Sequence, residues 1–117
     1  YFMPMSGDCW VMGEKSGKTH PKETAEYLEN AVLKSGHSPD DFFIYALTGE
    51  KDIAFEPMDS QIKAMKIHAP SFKFITDENP GGNICFRVHP DGVHSHEYVD
   101  QYIYNALPTF WSGAPIL

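Results

Sequence analysis

The sequence has little of the features that mark several special classes of protein. Two cysteines, Cys9 and Cys85, are too few for a disulfide scaffold and lack the close pairing of a zinc knuckle. No apolar run approaches the roughly 20 residues that a membrane-spanning helix needs. The first residues lack the basic start and small-residue cleavage site of a signal peptide. A membrane partner is therefore not expected, and these residues carry no sign of the compartment.

Positive charge is also scarce. Nine basic residues against sixteen acidic ones give a formal net charge of −7, and no run of Lys or Arg could neutralise a phosphate backbone. Nucleic acid is therefore not an expected partner. The 117 residues are 42% hydrophobic and 14% aromatic, which is ordinary for one globular domain.

Hydrophobic patterning predicts strands and helices in alternation. Three apolar runs are typical of buried strands: 1–5, 42–47 and 84–88. Apolar residues at helical spacing predict three helices: 21–35, about 57–67, and a last one that ends before Pro108. Glu29, on the first of these helices, is expected to face water. The order predicts an α/β fold with parallel strands, right-handed crossovers and helices on both faces of the sheet.

Candidate reactive residues follow the predicted strands, where such sheets gather their functional groups. Asp52 follows the second strand and His94 follows the third. A hydrolase triad on this fold runs in the order serine, acid, histidine, so this spacing predicts Asp52 as the acid and His94 as the base. A plainer alternative is that Asp52 caps a helix or turn and His94 is a surface histidine.

Two segments resemble a known family. TGEKDIAFEPMDSQIKAMK and GNICFRVHPDGVHSHEYVDQYIYNALPTFW resemble the C-terminal third of ferulic acid esterases, which belong to the esterase D-like group of α/β hydrolases. The family's T-G-x-x-D loop matches Thr48, Gly49 and Asp52, and its histidine stretch matches His94 and Ser95. The opening FMPMSGDCW resembles the strand that follows the family's nucleophile elbow. The resemblance implies the C-terminal part of an α/β-hydrolase fold, with Asp52 as triad acid and His94 as triad base.

The resemblance also implies an activity and a missing part. It implies a secreted serine carboxylesterase without a cofactor, which releases ferulate or related hydroxycinnamates from arabinoxylan through an acyl-enzyme. No G-x-S-x-G elbow is present, although Ser6, Ser16, Ser35 and Ser112 are each followed by glycine. Residues 1–117 are therefore expected to form the C-terminal half of one esterase domain. The expected partners are the upstream half of that domain and a feruloylated polysaccharide or small phenolic ester.

Alternatives remain open at this stage. The chain could belong to an acetyl xylan esterase or another esterase D-like enzyme, or form a non-catalytic polysaccharide-binding or structural module. Asp8, which follows the first predicted strand, is an alternative triad acid or else an Asx-turn residue. Trp10 is a candidate aromatic wall for a phenolic acid, or a packing residue.

Three further patterns are set aside. The H-x-H-E cluster at 94–97 lacks partner ligands, so no metal site is predicted, and His96 is expected to border the pocket or help start the last helix. GEKSGKT at 13–19 is one residue short of a phosphate-binding loop and is expected to be a solvated surface loop. Cys9 and Cys85 are expected to lie two strand spacings apart, beyond the reach of a disulfide, so Cys9 is left free to pair elsewhere.

Overall fold

A computed structural model describes residues 1–112 of the chain. Helices and strands alternate as the sequence predicts, and the mixed α/β class is confirmed. The elements are α1 (Ser16–Thr19), α2 (Pro21–Ser35), a 3-10 turn (Pro39–Asp41), β1 (Ile44–Gly49), α3 (Phe55–His68), β2 (Ile84–His89) and α4 (His96–Ser112). None of the helices in this described part is long and apolar enough to cross a membrane.

The two strands pair in parallel, in a register that runs from Ile44 opposite Ile84 to Gly49 opposite His89. Residues 1–5 lie along the other side of β1, also parallel, but they form isolated bridges instead of the predicted continuous strand. Pro4 explains the interruption, because its carbonyl accepts from the Leu47 N–H at 3.0 Å while its own nitrogen has no hydrogen to donate. The predicted spatial order of the three segments is confirmed.

Helices cover both faces of this sheet, as predicted. On one face, α2 and α3 pack in a cluster of seven buried residues: Ala25, Ile62, Ala64, Met65, Ala69, Phe72 and Ile84. On the other face, α4 packs in a cluster of six: Tyr45, Leu47, Cys85, Tyr102, Ala106 and Phe110. Both strands begin with apolar residues on successive positions because both faces of the sheet meet helices.

The last helix corrects the prediction that it ends before Pro108. It continues to Ser112 with Pro108 inside it. Proline removes one helical hydrogen bond, the one that would reach the carbonyl of Tyr104, and Tyr104 is 82% exposed and so lies beside water. Buried Ala106 and Phe110 hold the turns on either side of the proline against the sheet. Packing thus outweighs the local cost of the proline.

Two predicted surface features are buried instead. Glu29 does not face water, because its carboxylate accepts hydrogen bonds from the Ser71 N–H at 3.0 Å and the Ser71 hydroxyl at 2.7 Å. The segment 13–19 is not a solvated loop throughout, because Ser16 and Gly17 begin α1 and are buried. The Ser16 hydroxyl donates to the Cys9 carbonyl at 2.6 Å, which ties α1 to the residues that follow the first segment.

A contact between two glycine backbones joins the ends of β1 and β2. A Cβ built on Gly49 would collide with the backbone of Gly92, and a Cβ built on Gly92 would lie 2.7 Å from the Gly49 Cα and also against the Tyr102 hydroxyl. Real Cβ atoms do not approach backbone so closely, so neither position has room for a side chain.

We expect Gly49→Ala to lower the free energy of unfolding by about 1–3 kcal/mol or more, because the added methyl group forces two backbone segments apart. Denaturant unfolding of the variant and of Gly81→Ala measures the effect. Gly81 is the matched control, because an added Cβ there meets nothing within 4 Å. Equal stabilities of the two variants would contradict this account of the contact.

Candidate active site

The loops that follow β1 and β2 start at the same level, because Gly49 and His89 form the last pair of the strand register. The Glu50 N–H donates to the His89 carbonyl at 2.8 Å, and the Lys51 N–H donates to the Gly92 carbonyl at 3.0 Å. These backbone bonds hold the two loops side by side. Any side chains just beyond them are therefore brought together by the sheet itself.

Asp52 and His94 meet at this point. The Nδ1 atom of His94 lies 2.9 Å from Oδ1 of Asp52. The Asp52 side chain is completely buried, whereas the His94 side chain is 55% exposed. An ionised carboxylate only accepts hydrogen bonds, so Nδ1 carries the proton and Nε2 keeps a lone pair for another group. The pair can therefore act as a base whose ring is oriented by its hydrogen bond to Asp52.

A local turn fixes the carboxylate. The Asp52 N–H donates to the Gly49 carbonyl at 3.1 Å, and Oδ1 of Asp52 accepts the Ala54 N–H at 2.8 Å. Burial alone would raise the pKa of Asp52. Hydrogen bonds from the Ala54 N–H, the Ser6 side chain and His94, together with the positive charge that His94 can carry, outweigh burial and lower the pKa of that carboxyl. Asp52 is thus held in its ionised form.

Asp8, the alternative acid, takes part in different hydrogen bonds. Its Oδ2 accepts the Gly17 N–H at 2.7 Å, and its Oδ1 accepts the Trp10 indole N–H at 3.1 Å. The structure therefore brings Asp52, and not Asp8, into hydrogen-bond contact with His94. Trp10 is 60% exposed, and both interpretations of it, as an aromatic wall or as a packing residue, stay predictions.

The remaining predicted residues lie around the start of α4 and in the core. His96 is the first residue of α4, as one of its two predicted roles requires, and Glu97 is in the first turn. Within residues 1–112, no three His, Cys, Asp or Glu side chains are grouped so that they could hold a metal ion. Both thiols are free in the structure, and burial raises the pKa of Cys9 and of Cys85.

Sequence reasoning missed the residues that support the pair from behind. The Tyr102 hydroxyl occupies the space where a side chain at position 92 would lie. The pKa of Tyr102 is raised, chiefly by burial and secondly by the negative charge of Asp52. Ser6, with a left-handed φ of 50°, ends the first segment beside Asp52. The Asp91-Gly92 turn and the helical spacing of Tyr102 were visible in the sequence, but their contact with each other was not.

Parallel strands, helices on both faces and an acid–histidine pair beyond the strand ends define the chain as part of an α/β-hydrolase fold. The comparisons with known proteins narrow this class. No protein-family model matches the chain. It is 40% identical over 111 residues to endo-1,4-beta-xylanase Y of Acetivibrio thermocellus, covering 95% of this chain and 10% of that protein.

Two solved structures are similar over nearly the whole chain. One is a serine-to-alanine mutant of the feruloyl esterase module from Clostridium thermocellum complexed with sinapinate, with 39% identity and a TM-score of 0.80, covering 100% of this chain and 38% of that one. The other is described as FAE, with 42% identity and a TM-score of 0.77, covering 92% of this chain and 35% of that one. In sequence and in fold, the chain is similar to feruloyl esterase modules, and it spans just over a third of the length of these two structures.

The lowered pKa of Asp52 predicts how stability depends on pH. A carboxyl whose pKa in the folded state lies below its ordinary value of 3.8 contributes stability above that value and loses it as the pH falls through the folded pKa. We expect the difference in unfolding free energy between wild type and Asp52→Asn to be largest above about pH 5 and to shrink below about pH 4.

Thermal or urea unfolding at a series of pH values between about 2 and 7 measures this difference. Asp91→Asn is the control, because the Asp91 side chain is 69% exposed and pairs with Lys51 at the surface. If the difference in unfolding free energy between wild type and Asp52→Asn does not change with pH, the fold does not stabilise the charged form of the Asp52 carboxyl.

Proposed function

We propose that this chain supplies the acid and the base of a serine carboxylesterase that releases ferulate and related hydroxycinnamates from plant cell-wall arabinoxylan. The observation that carries the proposal is the 2.9 Å contact between His94 Nδ1 and the buried carboxylate of Asp52, at the carboxyl ends of parallel strands. The similarity to feruloyl esterase structures supports the same reaction class.

In the proposed reaction, Nε2 of His94 takes the proton of a serine hydroxyl as its oxygen attacks the ester carbonyl carbon. Asp52 holds the ring in the tautomer that leaves Nε2 free and stabilises the imidazolium that forms. His94 then gives the proton to the departing alcohol, which leaves an acyl-serine. A water molecule gives a proton to the same nitrogen as it attacks the acyl-serine, and the nitrogen then returns that proton to the departing serine oxygen, which releases the acid and restores the serine.

The serine is proposed to come from residues outside these 117, because the chain contains no G-x-S-x-G elbow. Two features support a covering partner. The side chains of Tyr1 and Phe2 are 73% and 60% exposed. They line an apolar groove of about 580 Å³ together with Leu28, Val32 and Phe72. We propose that the upstream half of the same esterase domain covers this groove and the outer edge of residues 1–5.

The substrate class has two supports besides the acid–base pair. The similar module from Clostridium thermocellum was complexed with sinapinate, which is a hydroxycinnamate, and the curated relative is named as a xylanase. The exposed indole of Trp10 offers an aromatic surface beside the first segment, and we propose that it contacts the phenolic ring. Secretion is part of the proposal, because the polysaccharide lies outside cells.

The first experiment measures hydrolysis of methyl ferulate by the intact polypeptide that carries this chain. We expect both His94→Ala and Asp52→Asn to lower kcat/KM by about 10³- to 10⁴-fold, because one removes the base and the other its orienting charge. His20→Ala and Asp77→Asn are the controls, since both residues are exposed and neither lines the groove. We expect the controls to stay within about twofold of wild type.

Other outcomes decide between the alternatives. Hydrolysis of acetylated xylan with no hydrolysis of methyl ferulate would favour the acetyl xylan esterase. Binding of feruloylated arabinoxylan without hydrolysis would favour the non-catalytic module. Activity that survives Asp52→Asn would remove Asp52 from the mechanism.

The proposed covering partner makes a separate prediction. Residues 1–117 expressed alone are expected to self-associate, because an apolar groove and a sheet edge are left open. Size-exclusion chromatography should show less association for Phe2→Glu, which places a charge in the groove. Ile67→Glu is the control, because Ile67 is 75% exposed and lies outside the groove. A soluble, cooperatively unfolding monomer of the unmodified chain would contradict the proposal.

A further inference from the structure

The carboxylate of Asp8 is shared between a backbone donor and an exposed aromatic side chain. One oxygen accepts the Gly17 N–H at 2.7 Å, and the other accepts the indole N–H of Trp10 at 3.1 Å. An exposed tryptophan would ordinarily sample several rotamers. Here a hydrogen bond to an ionised acceptor, which is stronger than one between neutral groups, holds the indole.

The backbone beside Trp10 is also held on two sides. The Cys9 N–H donates to Oε1 of Gln61 on α3 at 2.7 Å, and the Cys9 carbonyl accepts the Ser16 hydroxyl of α1 at 2.6 Å. Trp10 is therefore held by the fixed backbone of its neighbour Cys9 and by the bond from its ring nitrogen, while the residue as a whole is 60% exposed.

Gly17 permits this arrangement. A Cβ at position 17 would lie 2.8 Å from the Asp8 Cβ and 2.7 Å from the Pro57 carbonyl oxygen, so any side chain there would push Asp8 away. The tight packing sets the Asp8 carboxylate against the N–H of Gly17 and aims its second oxygen at Trp10. Gly17, in the GEKSGKT segment, therefore makes room for the Asp8 side chain, and its N–H already donates to the Asp8 carboxylate.

We propose that Asp8 is a positioning residue that holds the indole of Trp10 at a fixed angle, so that its exposed face receives the aromatic ring of the acyl group. The inference rests on the proposed function and adds to it the feature that makes the enzyme prefer aromatic acyl groups over small ones. Holding the indole before the substrate arrives removes an ordering cost from binding. Substrates whose acyl group has no aromatic ring gain nothing from it.

The test compares two esters hydrolysed by the intact polypeptide, methyl ferulate and p-nitrophenyl acetate. In Asp8→Asn, the amide oxygen can keep the Gly17 bond while the amide NH₂ group faces the indole N–H and cannot accept from it. We expect the KM for methyl ferulate to rise roughly threefold to tenfold, with kcat retained and p-nitrophenyl acetate unaffected. Asp8→Ala should show the same split, and the Asn variant suffices if the Ala variant does not fold.

A double-mutant cycle with Trp10→Phe shows whether Asp8 acts through the indole N–H. Trp10→Phe keeps an aromatic face but has no N–H, so adding Asp8→Asn to it should change the KM for methyl ferulate little further. The indole N–H resonance of Trp10 in a ¹H–¹⁵N spectrum should shift and exchange faster in Asp8→Asn. The Trp10→Phe variant assigns the resonance, because it removes this indole N–H and leaves every other tryptophan in place.

Equal losses on both esters would mean that Asp8 only supports the fold, and unchanged kinetics would mean that the indole needs no anchor; either overturns the inference. If the wild type hydrolyses neither ester, the proposed function fails, and equilibrium binding of ferulate then decides. Weaker binding in Asp8→Asn than in wild type would still support the positioning role. Equal binding, or no binding by the wild type, would overturn it.

Discussion

The contact between the backbones of Gly49 and Gly92 is the constraint on which the candidate site depends. Because neither residue has a side chain, the loops after β1 and β2 approach closely enough for the Lys51 N–H to reach the Gly92 carbonyl. Asp52 and His94 follow these glycines by three and two residues, so their separation is set before their own side chains meet. Tyr102 closes the contact from α4 and thereby joins the last helix to the same point.

Much of this arrangement could be predicted because it follows from rules that act along the chain. Mostly apolar runs at β1 and β2 indicated strands covered on both faces, and the alternation with helices indicated parallel pairing. Parallel strands place their carboxyl ends together, which is why Asp52 and His94 could be proposed as neighbours from their positions alone. Their catalytic roles remain a proposal that the geometry supports.

The features that the sequence could not reveal depend on contacts between distant residues. Pro108 reads locally as a helix end, but Ala106 and Phe110 pack against the sheet and carry the helix past it. The helical pattern places Glu29 at the surface, but a hydrogen bond from the Ser71 N–H holds its carboxylate in the interior. Likewise, Asp8 and Asp52 both follow extended segments, and Asp52 is the one that reaches His94 because β1, and not the segment 1–5, lies beside β2.

The burial of Asp52 separates its charge from the solvent, and this sets it apart from the ion pairs at the surface. Dissolved ions screen exposed pairs such as Lys18 with Glu56 over about 8–10 Å at physiological ionic strength, but they screen a buried carboxylate much less. Salt that weakens the surface pairs therefore leaves the attraction between Asp52 and the His94 ring largely intact. The orientation of the imidazole is thus insulated from the ionic composition of the medium around the protein.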